Sequence, residues 1–168
     1  MALNAYLTVK GQKQGVIKGG VSQKGREGTI LVSAATHDVV SPRDVASGMA
    51  SGKRMHKPFV ITKQIDRATP LLYQAFVANE SLPEWTLRFF QAGTAGAAGG
   101  AGVERQHYTV KLTNASISSI AFRMPDTQLP DLARLAEYEE IAFVYQRIEW
   151  TWVDGGITAS DDWNAAVT

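Results

Sequence analysis

The chain of 168 residues contains no cysteine. Disulfides, thiolate metal sites, cysteine nucleophiles and iron–sulfur clusters are therefore excluded, although export is not, because folded export routes need no disulfide. Long hydrophobic runs are also missing. The uncharged stretch from Ala92 up to Glu104 is Gly and Ala with little bulk, not a membrane span. The N-terminus, Met-Ala-Leu-Asn-Ala-Tyr-Leu, has no basic region, no apolar core and no small-residue cleavage site, so no secretory signal peptide is expected. A soluble cytoplasmic product, with any export independent of a signal peptide, is the expectation. Neither sign of charge dominates. Lys plus Arg number 17 and Asp plus Glu 16, a net charge of +1. That balance argues against a strongly basic nucleic-acid binder, and it leaves self-association unopposed. Hydrophobic residues make up 45% and charged residues 20%, enough for a real core. The length fits one domain over residues 1–168.

The patterning is mostly strand-like. Ala5-Tyr6-Leu7-Thr8-Val9, Thr29-Ile30-Leu31-Val32 and Phe59-Val60-Ile61-Thr62 read as strands by alternation and β-branched content. In a further strand, Trp85, Leu87 and Phe89 share one face, and Phe90 breaks the polarity of the other. One helix is expected, with Thr69 at its N-cap, Pro70 at N1, and Leu72, Ala75 and Phe76 on its apolar face. Asn79 suits a left-handed end and Pro83 prevents continuation. Residues 41–57 are too polar for core and too long for a tight turn. Residues 93–102 are Gly/Ala-rich and read as a flexible surface loop, expected to be dispensable for assembly. Tyr108, Val110 and Leu112 share a phase that Ile120, Phe122 and Met124 keep after an Asn/Ser-rich interruption, as in a bent strand or two strands joined by a bulge. Near the C-terminus, Ile141, Phe143 and Tyr145 lie on one face of a strand, and Val144, Ile148, Trp150 and Trp152 on the other. A strand apolar on both faces is covered on both sides, by core within and by the helix or another subunit outside. Residues 154–168 form a polar tail. Seven or eight strands and one helix give a mainly β fold, an antiparallel β-barrel or two-sheet barrel with the helix packed outside.

No residue set carries a catalytic or metal-binding signature. His37, His56 and His107 occur in no metal-ligand spacing and read as solvated or strand-edge residues. Asp161 and Asp162 lie in the polar tail, where two carboxylates need no partner. Gly48-Met49-Ala50-Ser51-Gly52-Lys53-Arg54 lacks the first P-loop glycine, since position 47 is Ser, and it lacks the magnesium-binding hydroxyl, since position 54 is Arg. Lys53, Arg54, His56 and Lys57 form a basic cluster that is solvated or meets an anionic surface, an acidic patch on a second copy included. Trp85, Trp150 and Trp152 fit barrel core better than a base-stacking platform. Catalytic, cofactor-binding and metal residues are therefore expected to be absent, and the pattern points to an assembly or binding role.

Several segments, taken together and in order, resemble the haemolysin-coregulated proteins, Hcp, of type VI secretion. They are Tyr6-Leu7-Thr8-Val9-Lys10-Gly11 with Gly15-Val16-Ile17-Lys18-Gly19, then His37-Asp38-Val39-Val40-Ser41-Pro42-Arg43-Asp44, then Gly52-Lys53-Arg54-Met55-His56-Lys57-Pro58. Ile65-Asp66-Arg67-Ala68-Thr69-Pro70-Leu71-Leu72, Tyr108-Thr109-Val110-Lys111-Leu112 and the span from Tyr138-Glu139-Glu140 to Trp150-Thr151-Trp152 complete the set. The resemblance implies a phage tail-tube-like fold and homohexameric rings with a wide lumen. It implies stacking of those rings into the inner tube of a contractile device, a spike protein at the tip and a sheath around it. It also implies small effector proteins carried in the lumen, a cytoplasmic protein before firing and secretion afterwards. No catalytic residue is implied, and no C-terminal toxin domain is expected.

Two expectations about contacts follow. The loop at 41–57, through Ser41, Pro42, Arg43, Asp44, Lys53, Arg54 and Lys57, is expected to join one ring to the next. Ile141, Phe143, Tyr145, Ile148, Trp150 and Trp152 are expected in core or at a subunit interface. A phage-type tail-tube protein, a monomeric small-ligand-binding barrel and an unrecognised hydrolase are the alternatives.

Overall fold

The computed structural model describes residues 2–93 and 103–164. The loop expected at 93–102 lies outside them except for Gly93, as do the last four residues of the polar tail. The strands are β1 (Ala5–Gly11), β2 (Gly15–Ile17), β3 (Ile30–Val32), β4 (Ala34–Thr36), β5 (Val39–Val40), β6 (Met55–His56) and β7 (Phe59–Gln64). One helix, α1 (Thr69–Val77), follows. Then come β8 (Leu82–Ala92), β9 (Glu104–Arg123), β10 (Tyr138–Val144), β11 (Arg147–Trp152), a short 3₁₀ turn and β12 (Ile157–Asp162). The strands exceed the expected seven or eight because β2, β4, β5 and β6 are too short to show alternation, and because β12 is polar.

Every pairing is antiparallel, in the order β2-β1-β8-β9-β10-β7-β4, with β3 on β1, β11 on β9 and β12 on β11. The path folds into two packed layers because β9 serves both. Its first half pairs with β8 and β11, and its second half pairs with β10. The chain makes the reverse passage at Ser33, between β3 on β1 and β4 on β7. The fold is thus mainly β and antiparallel, as the alternation requires. The hydrogen-bonded order itself runs open from β2 to β4.

The bend in β9 accounts for its broken phase. Asn114 adopts φ 50°, the left-handed region, and its side-chain amide donates to Gln146 Oε1 at 2.9 Å. Inward positions shift there from Val110 and Leu112 to Ala115 and Ile117. An extra residue, Ser118, then opposes the Ala142–Phe143 step as a bulge, and Ile120 packs on the core again. Phe122 and Met124 are exposed, so the second run of the expected phase does not reach the core. His107 forms a similar bulge opposite Phe89 and Phe90. Phe90, next to Phe89 and so on the opposite face beside Tyr6, is covered by the Arg26 guanidinium at 3.6 Å from the ring centroid.

The expected single strand at 141–152 is corrected to two, β10 and β11. The chain leaves one sheet for the other at Tyr145 and Gln146, and the inward parity changes with it. Ile141, Phe143, Tyr145 and Ile148 therefore all face the core, and Val144 and Trp152 are exposed. What reads as two apolar faces of one strand is largely one core reached twice. At its centre the Trp85 ring meets Phe59 and Phe143 edge-to-face, with centroids 5.1 and 5.4 Å apart. Trp85 is fully buried, away from the outward Trp152, so the tryptophans form no shared platform.

The helix begins as Pro70 dictates, but Ala68 is its N-cap and makes no side-chain cap bond. Thr69 does other work. Its hydroxyl donates to Glu139 Oε1 at 2.9 Å and lies 3.0 Å from the Lys63 ammonium. Lys63 and Glu139, register partners on β7 and β10, form a fully buried ion pair at 2.7 Å. Asp66 meets the same ammonium at 3.0 Å. Asn79, at φ 47°, ends the helix as expected.

Candidate functional site: a hairpin arm and its anchoring cluster

Residues 39–56 form a hairpin-like arm. At its root Val39 pairs with His56 and Val40 with Met55, and further out Arg43 bridges Ala50. The Ser51 amide donates to the Pro42 carbonyl at 3.0 Å, and the Asp44 amide to Met49 at 2.9 Å. The tip closes on Asp44, whose Oδ1 accepts from the amides of Ala46 and Ser47 and from the Ser47 hydroxyl. These bonds, led by the Ser47 hydroxyl, hold the Asp44 carboxyl below its usual range. Gly48, at φ 69°, supplies the left-handed residue that the turn needs. The turn at the tip is closed by its own hydrogen bonds, yet Val45 is 103% exposed and Met49 70%.

The arm is fastened at its base. The Arg54 guanidinium grips both carboxylate oxygens of Asp161 on β12, and the Lys53 ammonium donates to the Trp163 carbonyl. His56 is buried, with Nε2 2.6 Å from Asp161 Oδ2 and Nδ1 2.9 Å from the Tyr145 hydroxyl. The same hydroxyl lies 2.6 Å from His37 Nε2. Phe59, Trp150 and Trp163 wall the imidazoles, with ring centroids 5.2 to 6.5 Å away. The Arg54 hydrogen bonds first, and His56 after them, hold the Asp161 carboxyl down at about 2. Burial, seconded by His56, lowers His37. Burial, seconded by Asp161, pushes the Tyr145 phenol up.

Two sequence readings are therefore corrected. His56 is not solvated, because β12 and the chain reversal at Tyr145 cover it, whereas His37 follows the edge strand β4 and is half-buried against Phe59 and the Tyr145 hydroxyl. Asp161 is not a carboxylate without partners, and the polar tail that carries it is largely strand β12. No local pattern marks a contact between residues more than a hundred positions apart. Of the candidate arm residues, Arg54 and Lys53 turn back to the body, and Lys57 reaches Asp38 at 3.5 Å. Ser41, Pro42, Arg43 and Asp44 lie on the outgoing limb. Among the described residues Arg43 forms no ion pair and reaches only the Gly48 carbonyl, at 3.5 Å.

The depressed Asp161 carboxyl fixes a pH dependence. Its stabilisation is fully present above the ordinary value of 3.8 and is lost as pH falls from there toward about 2. Asp161→Asn should melt below the parent at pH 6, and the gap should close on titration to pH 2. Parallel melting curves at a series of pH values read it directly.

A mainly antiparallel β body with one helix, a projecting hairpin arm and, among the described residues, no cluster of three metal-capable side chains is distinguished by an outreaching surface. The chain belongs to the Hcp family of type VI secretion. The model of that family, described as type VI secretion system effector, Hcp, matches residues 6–152. The chain is 35% identical over 176 residues to the "Major exported protein" of Pseudomonas aeruginosa, covering 99% of both chains. Among solved structures it resembles a crystal structure of an Hcp protein, with TM-score 0.86, 30% identity, and 96% of this chain and 99% of that one covered. It also resembles the secreted protein Hcp3 of Pseudomonas aeruginosa, with TM-score 0.76, 29% identity, and 98% and 100% covered.

Proposed function

We propose that this chain is the structural subunit of a type VI secretion inner tube, forming homohexameric rings that stack head to tail. The observation that carries the reading is the arm. Its backbone is ordered by its own hydrogen bonds and its root is fastened to the body, yet an apolar tip stands open to solvent. An ordered segment with an uncovered apolar end suits a contact with another molecule. A heterologous contact of that kind, repeated along an axis, builds an open stack, whereas the contact within a ring must close. Trp152 and Ile157, exposed register partners on β11 and β12, offer apolar surface for the closed contact.

Membership of the family supports the remaining roles of this reading. The tube meets a spike protein at its tip and sheath proteins around it, and its lumen carries small effector proteins. The protein waits in the cytoplasm and leaves through the apparatus. The work is mechanical, performed by residues 1–168 as one unit, with no catalytic, cofactor, metal, nucleic-acid or membrane-inserting function. A small-ligand barrel needs space where Trp85 fills the core between Phe59 and Phe143. Light scattering after gel filtration tests the ring. A mass near six times 18.2 kDa is expected, and a monodisperse monomer at micromolar concentration overturns the reading.

A further inference from the structure

We infer that His37, Tyr145, His56 and Asp161 form a proton-gated latch that holds the arm against the body near neutral pH and lets it go when both imidazoles are protonated. Donor and acceptor accounting at four atoms carries the inference. The Asp161 carboxylate is an acceptor, so the His56 nitrogen 2.6 Å from it, Nε2, carries the hydrogen. Neutral His56 then offers Nδ1 as an acceptor, and the only hydrogen that Tyr145 owns is donated there, across 2.9 Å. The Tyr145 oxygen is left to accept, and His37 Nε2–H supplies the donor at 2.6 Å. The chain thus runs in one direction, from His37 through Tyr145 and His56 to Asp161, with its end fixed by the Arg54 guanidinium.

One added proton is accommodated. A proton on His37 Nδ1 leaves every bond in place. A proton on His56 Nδ1 reverses the first two, so that His56 donates to Tyr145 and Tyr145 donates to His37. A second proton has no such solution. Both imidazoles then aim N–H groups at one phenol oxygen, and the phenol hydrogen loses both of its partners inside a half-buried cluster. Two cations would stand with ring centroids 6.0 Å apart.

Asp161, 2.6 Å from His56, and Asp38 attract the two cations but offset them only in part, because each carboxylate is shared with a second cation. Asp161, on β12, is already held by Arg54 of the arm, and Asp38, beside His37, faces Lys57 at 3.5 Å. Asp162 turns its carboxylate to the Asn164 amide at 2.8 Å. Phe59 of β7, Trp150 of β11 and Trp163 contribute apolar walls. The low His37 value agrees in sign. A buried histidine favoured as neutral contributes stability that is lost as pH falls below its ordinary 6.5. His56 lies in the returning strand of the arm, so opening this cluster frees the arm root. Any consequence for stacking rests on the assembly reading above. The latch itself is read on the arm and needs no stack.

The test is amide hydrogen exchange, corrected for intrinsic rate, on unstacked protein from pH 7.5 to 5. Exchange in residues 39–56 should rise below about pH 6 at up to about tenfold per pH unit for each proton gained, while the β1–β8 ladder stays protected. His37→Gln removes the second proton and should keep the arm protected at pH 5. Tyr145→Phe cuts the chain, so its arm should exchange faster at pH 7.5 and respond less to acid. Nitrogen-15 spectra at pH 7.5 should show both histidines as Nε2–H tautomers. Arm exchange independent of pH in the parent, an acid response unchanged in His37→Gln, or a neutral His56 protonated on Nδ1 would each overturn the latch.

Discussion

Lys63→Met should cost about 3–5 kcal/mol of folding free energy, the largest effect of any single replacement outside the aromatic core. Lys63 and Glu139 are fully buried, facing each other on β7 and β10. The ammonium reaches Glu139, Asp66, the Thr69 hydroxyl and the Gln64 carbonyl at 2.7 to 3.0 Å. Methionine fills the same space but leaves the Glu139 carboxylate inside with the Thr69 hydroxyl as its only remaining donor among the described residues. Its second oxygen, Oε2, has no hydrogen-bond partner even in the parent. The attraction of the pair itself contributes much less than that loss, because both charges had to be desolvated. The double replacement Lys63→Met with Glu139→Leu should therefore recover most of the stability. Denaturant titration of the two variants separates the cases. If the double variant is no better than the single one, the penalty comes from lost packing and not from an orphaned charge.

Val45→Asp combined with Met49→Asp should leave the melting temperature unchanged and abolish stacking. Both side chains project from the arm tip and touch little of their own chain, so the fold has nothing to lose. Covering such a side chain contributes about 1.5–3 kcal/mol, which is tenfold or more in affinity for each contact. Contacts repeated around a ring reinforce one another. A charge reversal at Arg43 should act in the same direction but more weakly and with salt dependence, as rim charges do. Lys53 is a poorer probe, because it holds the arm to the Trp163 carbonyl. Micrographs and sedimentation of the variant beside the parent read the result. Stacks of parental length would place the axial contact elsewhere on the body.

Much of the fold was legible in the sequence because it rests on local chemistry. β-Branched alternation placed β1, β3 and β7, Pro70 placed the helix start, and Asn79 placed its end. What failed is what two sheets sharing one strand add. The parity changes at Asn114 and Tyr145 are turns from layer to layer, and the one at Ser118 is a bulge within a layer. An apolar pattern that jumps phase there looks like two faces when it is one core. The arm was visible as a polar segment too long for a turn, but its stiffness was not. Its order comes from Asp44 capping its own turn and from Asp161, at the far end of the chain, holding Arg54 and His56. His56 was misread for the same reason, since it does not lie near its partners in sequence.

The central claim is that this chain builds a tube out of rings, and electron micrographs of the purified protein test it most directly. The account expects sixfold rings with an open centre, some of them stacked end to end, with stacks lost and rings kept when Val45 and Met49 become Asp. A field of small particles without rings at micromolar concentration would contradict it.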